Sequence, residues 1–209
     1  MPVVVVDPLA ARPGELAGAV DWLRGGGIVA FPTDTLYGFA VDPLSAAAVR
    51  ALNDLKGRAS GAALPLIAAS IAQVEAFCGA LDSDTRRLTM RFWPGPLSIV
   101  CAAPAAVDRG VHAGQGTVAI RVPNHPVAKA LAAAFGRPIT ATSANVSGEA
   151  PARSAAELAP DLAARVFVVD GGPAAGGAPS TIVDVRTQPP RLIREGAVPW
   201  KRVLESLQA

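Results

Sequence analysis

The 209-residue sequence has few cysteines: only Cys78 and Cys101 are present, far apart and without CxxC spacing. This pattern argues against a disulfide framework or a zinc site, and it favours two buried thiols in a reducing compartment. Long apolar runs are also missing, because proline and glycine interrupt the uncharged stretches 59–74 and 92–107. A transmembrane helix needs about 20 apolar residues, so we expect no membrane span.

The N-terminal region lacks the features of a secretory signal, namely a basic segment followed by a small-residue cleavage site. We therefore expect a cytoplasmic protein. Aromatic residues are scarce as well, at 5% of the chain. Because single-stranded RNA is commonly bound by stacking bases on aromatic side chains, the sequence offers no platform of that kind. A formal net charge of +2 neither requires nor excludes a polyanionic partner.

The residues that are abundant indicate a folded protein with many turns. Hydrophobic residues make up 51% of the chain and charged residues 17%, a balance too apolar for intrinsic disorder. The 20 glycines and 19 prolines follow no period. They therefore indicate turns and sites built from backbone rather than a collagen-like repeat.

Several segments have helical spacing with recognisable ends. Leu16, Val20 and Leu23 share one face behind Pro13, and proline suits the first turn of a helix. Ser45 is placed to cap a second helix. A third helix is predicted over 126–135, where proline is again first and glycine follows the last residue. The stretch 199–208 has the spacing of a closing amphipathic helix.

Two further helix starts have the spacing of a capping box, Ser70 with Gln73 and Ser154 with Glu157. Between the helices lie strand-like runs. They are Ile28–Phe31, LSIVCA from Leu97, TVAIRV from Thr117, PITAT from Pro138, VFVVD from Val166, TIVDV from Thr181 and RLIR from Arg191. Because helices and strands alternate, the sequence predicts an α/β protein, a single domain over residues 1–209 with one largely buried, mixed sheet.

Familiar catalytic and nucleotide-binding motifs are missing from the sequence. There is no GxxxxGK[ST] loop, and the glycines 25–27 precede a strand instead of opening a helix. His112 and His125 stand alone, without a second ligand at metal-binding spacing. Ser143 lies in TSAN, which is not the GxSxG elbow of a hydrolase.

Polar clusters instead follow the predicted strands and helices. The segment PTDTLYG, residues 32–38, comes directly after a buried strand, although it also suits a turn that satisfies its own backbone. Four cations end other elements, with almost no carboxylates beside them: Lys56, Arg58, Arg121 and Arg194. Each alone is explained by a helix dipole or a solvated strand end. Together they suit a polyphosphate and a carboxylate, which guanidinium groups bind through two parallel hydrogen bonds.

Seven sequence blocks occur in an order that resembles one family. They are GGGIVAFPTDTLYGFAVDP, KGR, FWPGPLSIV, TVAIRVPNHP, TSANVSGE, STIVDV and RLIREGAVP, spread over Gly25 to Pro199. This combination resembles the YrdC/TsaC family of threonylcarbamoyl-AMP synthases. The resemblance implies a twisted, mixed-sheet α/β domain of the YrdC-like type with a concave basic site.

The same resemblance implies a reaction. L-threonine, bicarbonate and ATP are condensed to threonylcarbamoyl-AMP and pyrophosphate, for the threonylcarbamoyladenosine modification of tRNA. ATP is then a substrate, and Mg²⁺ arrives bound to the triphosphate, so no metal-binding residues are expected. The implied partners are these small molecules, with RNA or tRNA-modifying proteins as further candidates.

Site residues follow from the resemblance, block by block. The threonine-binding positions are Thr35, Arg121, Ser143 and Ser180. The ATP-binding positions are Lys56, Arg58, Thr117, Asn145, Arg153 and Arg194, of which Lys56 and Arg58 are also assigned to catalysis.

One block departs from the family pattern. After KGR the chain reads ASGAAL over residues 59–64. Ala62 replaces a polar side chain that helps to hold ATP, and Ile67 stands where some members have a threonine-contacting histidine. Gly61 suggests a mobile segment over the nucleotide. One alternative is a related protein that makes another carbamoyl-adenylate or has lost the activity. The other is an RNA-binding module, since a concave cationic surface attracts phosphodiesters.

Overall fold

The computed structural model describes residues 2–58 and 62–208. Within them, eight α-helices follow one another along the chain. They are α1 (Ala17–Arg24), α2 (Ala46–Leu55), α3 (Ile71–Cys78), α4 (Ser83–Phe92), α5 (Arg109–His112), α6 (Pro126–Phe135), α7 (Pro160–Ala163) and α8 (Trp200–Gln208). Two 3-10 turns cover Pro13–Leu16 and Ala155–Glu157.

Eleven strands form two sheets in the same part of the chain. They are β1 (Val3–Val5), β2 (Val29–Pro32), β3 (Tyr37–Ala40), β4 (Leu66–Ile67), β5 (Leu97–Ala102), β6 (Thr117–Arg121), β7 (Ile139–Thr140), β8 (Thr142–Ser143), β9 (Phe167–Asp170), β10 (Thr181–Asp184) and β11 (Arg191–Arg194). The first sheet has the order β1-β9-β2-β3-β8, and the second β11-β10-β5-β6-β4-β7. Both contain parallel and antiparallel pairs. The predicted mixed α/β fold is confirmed, but the strands form two sheets instead of one.

Local signals determine several helix ends. The Ser45 hydroxyl accepts a hydrogen bond from the Ala48 amide at 3.3 Å, and α6 begins at its proline as predicted. Gly136 ends α6 with a φ of +89°, a left-handed conformation that favours glycine. The Ser154 prediction is wrong: the Glu157 carboxylate binds the preceding Arg153 amide, and only a 3-10 turn forms there.

The predicted strand PITAT is divided between the two sheets. Ile139 and Thr140 pair with β4 in the second sheet, whereas Thr142 and Ser143 pair with β3 in the first. Ala141 lies between them, and its amide donates to the Pro65 carbonyl. The chain therefore passes from one sheet to the other within a single residue.

The segment 32–38 forms a hairpin in which the loop Thr33–Leu36 joins β2 to β3. The Thr33 hydroxyl donates to the Leu36 carbonyl at 2.7 Å, which closes the loop. Tyr37 belongs to β3 and is fully buried, and its hydroxyl donates to the Gly172 carbonyl at 2.8 Å. Thus part of the polar cluster that was expected at a strand end lies within the strand β3.

Both faces of β2 are covered by apolar side chains. Val29 and Phe31 pack in one core with Leu23 of α1 and Leu131 of α6, whereas Ala30 lies in the other core. This alternation follows from the two-residue period of a strand. Among residues 2–58 and 62–208, no helix has the length and apolar character needed to cross a membrane.

The two cysteines are free thiols that interact with each other. Cys101 on β5 is buried, and Cys78 at the end of α3 is half-buried. The interaction with the Cys78 side chain, together with burial, raises the pKa of the Cys101 thiol. Cys78 and Cys101 are thus neighbours in the fold although they are distant in sequence. The prediction that both thiols are buried is confirmed for Cys101, whereas Cys78 is half-buried.

Candidate functional site

A cavity of about 920 Å³ opens between the two sheets. Its walls include the β2–β3 loop and β8 from the first sheet, and β4, β6, β10 and β11 from the second. Nine of the ten predicted site residues line it: Thr35, Lys56, Arg58, Arg121, Ser143, Asn145, Arg153, Ser180 and Arg194. The fold therefore brings together residues that are up to 159 positions apart in the sequence.

Thr117 is the predicted site residue that lies elsewhere. It begins β6 and pairs with Ala102, whereas Arg121 ends the same strand at the cavity. Four residues of extended strand separate the two by about 13 Å. The position of Thr117 in the fold gives no support to the expected contact with ATP.

Lys56 follows α2 and is buried, with 3% of its surface exposed. Its Nζ donates to the Ser143 carbonyl at 2.5 Å, to the Asn145 carbonyl at 2.7 Å and to the Asn145 Oδ1 at 3.3 Å. A lysine ammonium has three N–H groups, so all three are engaged. The expected direct contact of Lys56 with phosphates would require one of these bonds to break. In the structure Lys56 instead holds residues 142–145 in place, which are called the TSAN loop below and include β8.

Burial and the charge of Arg58 lower the pKa of Lys56 to about 8. The ammonium is thus still the main form at neutral pH, and the three oxygen acceptors favour it further. Burial also lowers the pKa of Arg58, and burial together with the charge of Arg121 lowers that of Arg194. Cations placed close together in a partly buried cavity are stabilised by an anion between them, so the cavity favours anionic ligands.

Asn145 uses its side chain to shape the same loop. Its amide nitrogen donates to the Val146 carbonyl at 2.8 Å and to the Glu149 carbonyl at 2.7 Å, while its oxygen accepts from Lys56. These bonds occupy both amide hydrogens. Asn145 therefore lines the cavity as predicted, but its amide holds the loop in place and has no N–H left for a nucleotide.

Arg121 ends β6 and is paired with Asp34 from the β2–β3 loop. The guanidinium Nη1 donates to the Asp34 Oδ1 at 2.5 Å, and the two side chains are only 7% and 12% exposed. This pair corrects the expectation that carboxylates are almost absent near the cations. Glu157 is a second carboxylate near these cations, and unlike Asp34 it belongs to the lining of the cavity.

Arg194 and Ser180 form a second polar group at the cavity wall. The Arg194 Nη2 donates to the Ser180 carbonyl at 2.7 Å and to its hydroxyl at 3.1 Å. The Ser180 hydroxyl also contacts that of Ser98 at 3.2 Å. Arg58 makes one weaker bond, from Nη2 to the Ala63 carbonyl at 3.2 Å. Arg58 is the less firmly held of these two arginines.

The divergent segment after KGR is only partly described. The predicted mobility at Gly61 lies outside the described residues. Ala62 is exposed and does not line the cavity, so its expected role at the nucleotide has no support from its position. Ile67 on β4 belongs to the lining of the cavity but is fully buried, so its apolar side chain packs against the wall.

Sequence reasoning missed several lining residues. Ile182 of β10 and Ala141 are apolar, and Pro151 and Gly177 lie in loops. The sequence provided a weak indication of Pro151 and Gly177, because they lie in the segments 148–151 and 171–179, which are rich in glycine and proline. Within 2–58 and 62–208, no group of three or more His, Cys, Asp or Glu side chains is placed to hold a metal ion.

Comparison with known proteins gives consistent matches. The Sua5_yciO_yrdC family model, described as "Telomere recombination", matches residues 21–196. A threonylcarbamoyl-AMP synthase of Thiobacillus denitrificans is 41% identical over 177 residues, which cover 85% of this chain and 94% of that protein. The threonylcarbamoyl-AMP synthase of Bacillus subtilis is 38% identical over 203 residues. That alignment covers 96% of this chain and 59% of the relative.

Among solved structures, the crystal structure of Pyrococcus abyssi Sua5 complexed with L-threonine matches with a TM-score of 0.91 at 33% identity. The match covers 99% of this chain and 61% of that one. The chain thus spans about three fifths of the length of the Bacillus subtilis and Pyrococcus abyssi proteins and nearly all of the Thiobacillus denitrificans protein. The family match and the 41% identity place the chain in the Sua5/YciO/YrdC family.

Proposed function

We propose that the protein condenses L-threonine, bicarbonate and ATP to threonylcarbamoyl-AMP and pyrophosphate. The observation that carries this proposal is the single cavity lined by five cations, Lys56, Arg58, Arg121, Arg153 and Arg194. A carboxylate, a carbamate and a triphosphate must be held together in this reaction, and only a strongly cationic site offsets their mutual repulsion. The two synthases above and the threonine complex of a relative support the choice of substrates.

The proposed chemistry needs positioning more than a reactive side chain. The neutral amine nitrogen of threonine bonds to the carbon that bicarbonate supplies, and the C–OH bond of bicarbonate breaks. The hydroxide and the amine proton leave as water, which gives a carbamate. A carbamate oxygen then bonds to the α-phosphorus of ATP, and the bond from that phosphorus to the bridging oxygen breaks to release pyrophosphate. Holding the two reacting anions at contact accounts for most of the acceleration in reactions of this kind.

The arrangement of partners divides the cavity into two ends. We assign Arg121, with Thr35 and Ser143, to the amino-acid end. Arg121 is paired with Asp34 in the loop that carries Thr35, and Ser143 pairs with Gly38 of β3, the strand that follows this loop. We assign Arg58 and Arg194 to the nucleotide end, since within 2–58 and 62–208 their guanidinium groups donate to neutral oxygens alone. Mg²⁺ is proposed to enter with the triphosphate and to be held through phosphate oxygens, in agreement with its preference for oxygen ligands.

The proposed function is tested by pyrophosphate release from ATP, with threonine and bicarbonate omitted in turn. We expect release only when all three substrates are present. The adenylate should be found with the same stoichiometry as pyrophosphate by mass spectrometry. Release that is independent of threonine would identify a different acceptor, and no release under any condition would contradict the proposal. The threonylcarbamoyl-AMP so formed is proposed to serve tRNA modification.

Ile67 provides a prediction about amino-acid selection. Because Ile67 belongs to the apolar part of the cavity lining, we expect Ile67→His to lower the preference for threonine over serine by about fourfold, which corresponds to about 0.8 kcal/mol for one buried methyl-sized group. The measurement is kcat/KM for both amino acids. Ala62→Asn is the control, since Ala62 is exposed and outside the lining, and it should leave the preference unchanged. If Ile67→His has the same preference for threonine over serine as wild type, the threonine methyl group does not contact Ile67.

The two thiols are predicted to take no part in the chemistry. Neither Cys78 nor Cys101 lines the cavity, so Cys78→Ser with Cys101→Ser should retain turnover within about twofold of wild type. Its melting temperature should fall, because a hydroxyl placed at a buried site costs about 1–3 kcal/mol. Thermal denaturation and pyrophosphate release measure the two effects. Loss of turnover in the folded double variant would reveal a catalytic thiol.

A further inference from the structure

Asp34 lies outside the lining of the cavity but contacts one of its principal cations. It belongs to the loop between β2 and β3 in the first sheet, whereas Arg121 ends β6 in the second. The ion pair therefore connects the two sheets at the rim of the site. A purely structural connection and a role in binding are both consistent with this location, and the geometry of the pair distinguishes them.

The Asp34 carboxylate is held at both oxygens. Its Oδ1 accepts from the Arg121 Nη1, and its Oδ2 accepts from the Asn124 amide at 3.4 Å. The Arg121 guanidinium has no other hydrogen-bond partner among residues 2–58 and 62–208. Its Nε–Nη2 edge thus remains available, and that edge offers the two parallel N–H groups that bind a carboxylate.

The Asp34–Arg121 pair also determines the net charge that a ligand meets at this end of the cavity. Because Asp34 neutralises Arg121, the pair presents directed N–H donors but little net positive charge. The repulsion between the Asp34 carboxylate and a bound anion is proportional to the charge of that anion, so a dianion is disfavoured about twice as strongly as a single carboxylate. Arg58 and Arg194 have no such carboxylate partner among the described residues.

We propose that Asp34 is a specificity-determining residue that keeps phosphate groups away from Arg121 and reserves this end of the cavity for a carboxylate. This inference rests on the proposed function. It explains how one cavity lined by five cations directs a triphosphate and an amino acid to different ends. A purely structural pair would affect stability, but it would not affect the choice between the single carboxylate of an amino acid and a dianion.

The test compares wild type with Asp34→Asn, which keeps the shape and removes the charge. Calorimetry gives the Kd of L-threonine, and competition against threonine gives the Kd of sulfate, a tetrahedral dianion, at constant ionic strength. We expect the ratio of the sulfate Kd to the threonine Kd to fall at least fivefold in Asp34→Asn. A smaller change would overturn the proposal. Asp34→Ser is the second neutral variant if Asp34→Asn does not fold.

Two controls separate the possible failures. Asp184→Asn removes the charge from another ion pair, that with Arg186, which lies outside the cavity lining, and its Kd ratio should equal that of wild type. Asp34→Glu retains the charge and should retain the discrimination against sulfate. Wild type that binds threonine but releases no pyrophosphate would contradict the proposed function alone. Wild type that does not bind threonine would overturn both.

Discussion

The Arg121→Ala variant is expected to have a KM for L-threonine at least about 30-fold above that of wild type, with the KM for ATP changed less than threefold. The reason is that truncating one partner of a buried, charge-assisted contact costs about 2–5 kcal/mol. Arg121 is 6% exposed and is the cation that we assign to the threonine carboxylate. Steady-state kinetics with each substrate varied separately measures both constants.

The control for this variant is Arg186→Ala. It also leaves a buried aspartate, Asp184, without its partner, but that pair lies outside the cavity. Both variants should lose stability, whereas only Arg121→Ala should alter threonine kinetics. A rise confined to the ATP KM would show that the two ends of the cavity have been assigned in the wrong order.

Lys56→Met and Arg58→Met are expected to differ in stability although both residues line the cavity. Lys56→Met removes three hydrogen bonds. It leaves the Asn145 carbonyl without a donor and the Ser143 carbonyl with the Asn145 amide alone, at a cost of about 1–3 kcal/mol of stability. Arg58→Met removes one weak bond and should leave the melting temperature near that of wild type. Thermal denaturation without ligand measures this difference.

ATP binding should weaken in both variants, for different reasons. Arg58→Met loses a cation facing the phosphates, so we expect the Kd of ATP to rise about 5- to 150-fold. Lys56→Met should weaken binding by loosening the TSAN loop, and it should also weaken threonine binding because Ser143 lies in that loop. Calorimetry with each ligand measures these values. If Lys56→Met is stable and loses ATP binding but keeps threonine binding, the result would show that Lys56 contacts the phosphates directly.

Features encoded by neighbouring residues could be predicted from the sequence. The cap at Ser45, the proline that begins α6 and the glycine that ends it depend on contacts within a few positions. The division of PITAT could not be predicted, because it depends on Thr140, whose hydroxyl accepts from the Val41 amide 99 residues away in sequence. A β-rich pattern indicates a strand, but it does not show which sheet that strand joins.

The same distinction applies to the site. Sequence blocks located eight of the nine lining residues, and Arg153 was placed by its spacing after TSAN. They did not predict that Lys56 would bind the TSAN loop or that Asp34 would pair with Arg121, which are contacts across 87–89 positions. Thr117 shows the opposite error, because it shares a strand with Arg121 but lies at the far end. The sequence therefore predicted one contact that the fold does not support, that of Thr117 with ATP. It did not predict the contacts of Lys56 with TSAN and of Asp34 with Arg121.

The single residue between β7 and β8 restricts how the cavity changes shape. The two sheets are joined at Ala141, and β11, which carries Arg194, is the opposite edge of the second sheet. Five strand spacings of about 4.8 Å separate β11 from β7, so a rotation of about 5° between the sheets would move β11 by about 2 Å. Ser143, next to the pivot, would stay in place. A hinge at this connection would therefore move Arg194 more than Ser143, so the width of the cavity would change most at β11.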